Sequence, residues 1–147
     1  MRALKFGGTS MVDAKSWRRV LDIIADSKKP VVIVSATDRT TRHLAKAAQT
    51  AATDLNAALK MGDDIMVRHK KIVRRFLAEN SIQKQNKREG CCLKWIQQCT
   101  DYLSNHLKKI NAEAAVSPQN NDAVLSTGEQ LSARLFALCG QAMGLKT

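Results

Sequence analysis

The chain has 147 residues, 44% of them apolar and 25% charged, with a net charge of +11. That length fits one domain with a real core, and that composition is the composition of a folded globular protein. The most apolar run, Val31 to Val34, is far shorter than the roughly 20 residues a membrane helix needs, so no membrane partner is expected.

Met1 to Lys5 lacks a long apolar stretch, so no signal peptide is expected either. The four cysteines, Cys91, Cys92, Cys99 and Cys139, make no C-x-x-C pair and have no histidines at zinc spacing. They read as reduced thiols of a cytoplasmic protein, with no metal site.

Arg2 to Phe6 reads as a first strand. Directly after it comes Lys5-Phe6-Gly7-Gly8-Thr9-Ser10. Two adjacent glycines let a backbone approach a phosphate with its N–H groups inward, and a following helix adds its positive end. The lysine precedes the glycines, the reverse of the P-loop order. The six residues alone fit an ordinary strand–turn–helix junction equally well.

Val12 to Ser27 predicts a helix, with Trp17, Val20, Leu21 and Ile24 on one face. Pro30 opens Val31-Val32-Ile33-Val34, a β-branched run suited to a strand buried on both faces of a parallel sheet. Strand, helix and strand make a βαβ unit, right-handed by default. Ligands of such sheets bind beyond the carboxyl ends of the strands, here Gly7-Gly8 and Ser35-Ala36.

The middle of the chain is helical. Thr40 to Lys60 is rich in alanine and leucine, and Asp63-Asp64 are expected to open a helix through Glu79. Ile65, His69, Ile72 and Phe76 share one stripe, so His69 reads as a core or boundary residue. Ser81 to Gly90 reads as a polar loop. Cys92, Ile96, Cys99, Leu103, Leu107 and Ile110 form the next stripe, which makes the thiols packing groups.

Between Lys60 and Ile110 stand 12 Lys or Arg against 5 Asp or Glu. Few aromatics interleave with them and no nucleic-acid motif appears. The surplus therefore reads as solvated helix faces rather than a nucleic-acid surface.

Val116 to Asp122 reads as a loop containing Pro118. The stretch Ser126-Thr127-Gly128-Glu129-Gln130-Leu131-Ser132 then begins a helix through Met143, with Glu129 in its first turn. A carboxylate there is ordinarily a partner of the helix dipole. Its other reading is a carboxylate aimed at a substrate ammonium group.

Together the three motifs resemble the aspartokinases, within the amino-acid kinase superfamily. The resemblance rests on Lys5 to Ser10, on Val34-Ser35-Ala36 with Thr41, and on Ser126 to Ser132. It implies a three-layer α/β fold, helix-rich around a mainly parallel sheet. This chain would be the N-terminal portion of the catalytic domain, with a helical insert at about 40–112. The later half and the regulatory ACT domains would be absent.

The implied reaction moves the γ-phosphoryl group of ATP, with Mg²⁺, to the β-carboxylate of L-aspartate. That is the entry to lysine, threonine and methionine synthesis. By family pattern, Lys5 would be catalytic, stabilising charge on the transferring group. Lys5, Gly7, Gly8, Thr9 and Ser10 would hold the ATP phosphates. Ser35 and Thr41 would hydrogen-bond aspartate, and Glu129 would pair with its amino group.

One residue departs from the pattern. Arg39 stands at the family's usual glycine position, where a positive φ would suit it poorly. Alone, the portion is expected to be inactive and to self-associate through the face its truncation exposes. The competing readings are a non-catalytic half-domain that binds a partner or small ligand, and a basic nucleic-acid-binding module.

Overall fold

The computed structural model describes residues 2–80, 82 and 85–146. Strand β1, Ala3–Phe6, leads through a single 3-10 turn, Gly8–Ser10, into helix α1, Ala14–Ala25. Strand β2, Val31–Val34, pairs with β1 in parallel, with Lys5 opposite Ile33 and Phe6 opposite Val34. Four helices follow: α2, Thr40–Ala51; α3, Leu55–Glu79; α4, Gln85–Glu113; and α5, Pro118–Ala142.

Helix starts follow side-chain caps. Asp13 accepts from the Ser16 amide at 2.8 Å, and Asp54 accepts from the Ala57 amide at 2.9 Å. These bonds satisfy donors that the first turn leaves free. Asp54 therefore opens α3, and Asp63-Asp64 lie exposed in its interior, not at its start. Polar residues likewise continue α4 back to Gln85, where a loop was expected. Glu89 on that segment accepts from Arg74 of α3 at 2.7 Å. The rest of the expected loop at 81, 83 and 84 lies outside the described residues.

The largest revision concerns α5. Pro118 occupies its first position, where a missing N–H costs nothing, and Ser117 caps it. The expected loop at 116–122 is thus mostly helix. Glu129 stands in the middle of α5, so the helix dipole does not account for it.

Helices α2 to α5 pack around one apolar core that also takes in Met11 and the buried face of α1. Trp17 meets Phe136 edge to face at 5.7 Å and donates to the Met11 carbonyl at 3.2 Å. Cys92, Cys99 and Cys139 are buried in the core. Burial pushes the Cys99 thiol up to about 11, and Cys139 is held well above the usual range by its hydrogen bond with Cys92. The same bond lowers the Cys92 thiol. Cys92 and Cys99 serve packing, as expected of their stripe.

The sheet is covered on one face only. Phe6, Val32 and Val34 pack against the helical core. The opposite face carries Ala3, Lys5, Val31 and Ile33, and Val31 and Ile33 are 45% and 51% exposed. A β-branched run was expected to be buried on both sides; no described element covers this one. Of the three layers implied by the resemblance, these residues form the sheet and one helical layer. Among the described residues, no helix is long and apolar enough to cross a membrane.

Candidate functional site

At the carboxyl ends of β1 and β2 lies a cleft of about 380 Å³. Gly8 and Thr9 border it on one side, Ser35 to Arg39 and Thr41 on another, and Glu129 on a third. Three stretches separated by long segments of sequence converge there.

Local chemistry explains how. After β1 the chain turns sharply, with the Ser10 amide donating to Gly7 at 2.9 Å and the Met11 amide to Gly8 at 3.0 Å. A Cβ on Gly8 would stand 3.2 Å from the Ala36 carbonyl oxygen, so glycine lets the two strand-end loops touch. Gly128 does the same for α5. A Cβ there would meet Ala36 Cβ and Leu44 Cδ1 at 3.1 Å and Thr40 Cγ2 at 3.2 Å. The bare backbone at Gly128 seats α5 on the 36–40 loop and brings Glu129 to the cleft.

The loop after β2 is held from several directions. The Ser35 amide donates to Phe6 at 3.0 Å, and the Ser35 carbonyl accepts from the buried Ser132 hydroxyl at 2.9 Å. Below it, α3 presents His69. Its Nδ1 lies 2.7 Å from the Ile65 carbonyl and its Nε2 lies 2.8 Å from Thr37 Oγ1. A carbonyl only accepts, so Nδ1 carries the proton and Nε2 accepts from the Thr37 hydroxyl. Burial pushes the His69 pKa down to about 4, which keeps the ring neutral at neutral pH.

Thr37 and Thr40 hydroxyls stand 2.6 Å apart, and Arg68 Nη2 donates to both, to Thr37 at 3.3 Å. Desolvation lowers the Arg68 pKa and the nearby Asp38 carboxylate opposes that shift. Arg39 occupies the left-handed region, φ +56°, ψ +3°, immediately before α2. Its Nε lies 3.6 Å from Asp38 Oδ2.

The predicted site residues divide accordingly. Gly8, Thr9, Ser35, Thr41 and Glu129 border one cleft. Lys5, Gly7 and Ser10 do not line it; Lys5 sits exposed on the open face of the sheet. Asp38, Arg68 and the Thr37–His69 pair escaped the sequence reading as site features. The Thr37-x-x-Thr40 spacing at a helix start and an Arg-His step on an apolar stripe were the available signals. Among the described residues, no three or more His, Cys, Asp or Glu side chains gather as a metal site.

A parallel strand pair whose carboxyl ends meet a glycine turn and a cleft defines an α/β domain of the kind that binds ligands beyond its strand ends. The model of the amino acid kinase family matches residues 1–147, and the chain belongs to that family. A curated relative, chloroplastic aspartokinase 1 of Arabidopsis thaliana, is 25% identical over 146 residues. The alignment covers 97% of this chain and 24% of that protein, so the chain spans about a quarter of its relative's length.

Among solved structures, E. coli aspartokinase III in complex with lysine and aspartate, in its T-state, superposes with a TM-score of 0.81 at 22% identity. The same enzyme with aspartate and ADP, in its R-state, gives 0.80. Each match covers 99% of this chain and 30% of the solved one. The helix-rich α/β fold with its small parallel sheet is therefore the amino-acid-kinase fold.

Proposed function

We propose that this chain forms the amino-acid-binding front of an aspartate kinase, which transfers the γ-phosphoryl group of ATP to the β-carboxylate of L-aspartate. The observation that carries the reading is the convergence of Gly8-Thr9, Ser35, Thr41 and Glu129 on one cleft. In this reading Glu129 pairs with the substrate ammonium group, and the Ser35 and Thr41 hydroxyls bond its carboxylates. The amides around Gly8 face the phosphates. A carboxylate nucleophile needs no base at neutral pH, and phosphoryl transfer rests on positioning and charge neutralisation. That agrees with a cleft whose described lining holds hydroxyls, two carboxylates and Arg39, with no histidine or cysteine among them.

Mg²⁺ accompanies ATP in this scheme. Asp38 and Glu129 are the carboxylates bordering the cleft, too few to build a dedicated metal site alone. Lys5 neutralises charge on the transferred group and Gly7 and Ser10 complete the phosphate cradle once the remaining part of a catalytic domain closes over the open sheet face. The chain alone is accordingly proposed to bind aspartate without turning it over. The product of the whole enzyme would feed lysine, threonine and methionine synthesis.

Titrating L-aspartate into the isotopically labelled chain tests this. The expected result is saturable shifts at the amides of residues 35–41 and 129, with no aspartyl hydroxamate formed in the presence of ATP, Mg²⁺ and hydroxylamine. Absence of any shift at high aspartate rejects the reading. We also propose self-association through the exposed Val31 and Ile33 face. Light scattering at high concentration checks it, and a strictly monomeric species rejects it.

A further inference from the structure

Arg39 is a left-handed non-glycine residue, φ +56°, on the rim of the cleft. Such conformations cost free energy and persist where something else holds them, which makes an observed outlier a pointer to function. Lys29 and Ala114 share the conformation but stand in connections away from the cleft. Lys29 borders a different, mainly apolar cavity, and Arg39 is the one of the three at the strand-end cleft.

Charge gives the outlier a role. The described residues lining the cleft include two carboxylates, Asp38 and Glu129, and one cation, Arg39. A ligand with two carboxylates and one ammonium group finds a partner for its ammonium in Glu129. Its carboxylates would otherwise face only hydroxyls and the repelling Asp38. The Arg39 side chain is 71% exposed, and its Nε stays within 3.6 Å of Asp38. No hydrogen bond among the described residues uses its Nη donors. Those two nitrogens form a fork of the geometry carboxylates take.

We infer that Arg39 is a substrate-contacting residue, binding one carboxylate of the amino-dicarboxylate held by Ser35, Thr41 and Glu129. The inference rests on the proposed aspartate site and adds a specificity determinant to it. The left-handed backbone is the conformation that places a side chain there at the head of α2.

The test compares the chain with its Arg39→Gly, Arg39→Gln and Arg39→Lys variants by the same L-aspartate titration. Arg39→Gly and Arg39→Gln are expected to weaken binding about tenfold or more, as loss of a charge-assisted bond does. Arg39→Lys is expected to retain part of the affinity. Arg39→Gly relieves the backbone, so it should weaken binding while raising the thermal midpoint, a pairing that a purely structural role does not produce. Equal or tighter binding by Arg39→Gly overturns the inference and leaves the aspartate site standing. Weakening by Arg39→Gly with unchanged affinity in Arg39→Gln also overturns it, because loop freedom rather than charge would then be responsible. A wild-type chain that ignores aspartate removes the site and the inference together.

Discussion

The two strand-end loops that meet at the cleft are built to different standards. The one after β1 relies on its own turn. Gly7 has no neighbour within 4 Å of a virtual Cβ, Thr9 and Ser10 are exposed, and Lys5 stands on an open sheet face. The one after β2 is over-determined. Ser35 is fixed at both its amide and its carbonyl, and Thr37 and Thr40 are tied to each other and to α3. In the proposed function these two loops are the phosphate side and the amino-acid side of one site. A loop that ligates through side chains must hold rotamers in place, so it needs a supporting shell. A loop that ligates through backbone amides needs chiefly a turn and a partner.

Acid should break the contrast first. His69 has a folded pKa of about 4 against an ordinary value of 6.5. Between those values the unfolded chain binds more protons, so stability is present above pH 6.5 and is lost as pH falls through the window to 4. The loss attributable to His69 is about 3 kcal/mol, from the size of the shift. Denaturant unfolding across that range should show a slope that disappears in His69→Gln. An unchanged slope in that variant would refute the neutral buried ring.

Overfilling the seam under the same loop comes next. Gly128→Val forces α5 off Ala36, Leu44 and Thr40 and is expected to cost about 2–3 kcal/mol. Urea unfolding measures the cost, and the shifts induced by aspartate should vanish with it. Arg39→Gly should act in the opposite direction, stabilising the chain by about 0.5–1 kcal/mol through relief of the left-handed backbone. Differential scanning calorimetry reads the change. The smallest effect belongs to the strand that leads into the other loop. Lys5→Ala, at an exposed site, should leave stability within about 0.5 kcal/mol of wild type, and a larger change would mean the phosphate side is more structured than its contacts indicate.

Much of this contrast was legible in the residues, and the exceptions share a cause. Val31 to Val34 announces a strand by its β-branched run, and Trp17, Val20 and Leu21 announce a buried helix face. The expected burial of β2 on both faces fails because periodicity reports a strand's preference and not what covers it. Helix boundaries failed where capping was ambiguous. Asp54 and Asp63-Asp64 are both plausible starts, and only the bond from Asp54 to Ala57 distinguishes them. Pro118 reads as a loop residue until Ser117 is seen to cap the helix behind it. That single misplacement moved Glu129 from a dipole partner to a mid-helix carboxylate.

Sequence by itself determined the glycine turn after a first strand, the parallel βαβ unit, the apolar stripes, and the motif residues Gly8, Ser35, Thr41 and Glu129. Those are local matters of propensity, period and spacing, or resemblances carried by short motifs. Tertiary structure alone decided that these residues share one cleft while Lys5 lies outside its lining. It also decided that His69 and Arg68 brace the loop from below, and that Arg39 takes a left-handed backbone beside Asp38. Each of these depends on where α3 and α5 pack against the end of β2. Packing is set by close contacts such as Gly128 against Ala36, which join residues 92 positions apart and leave no periodic trace in the chain.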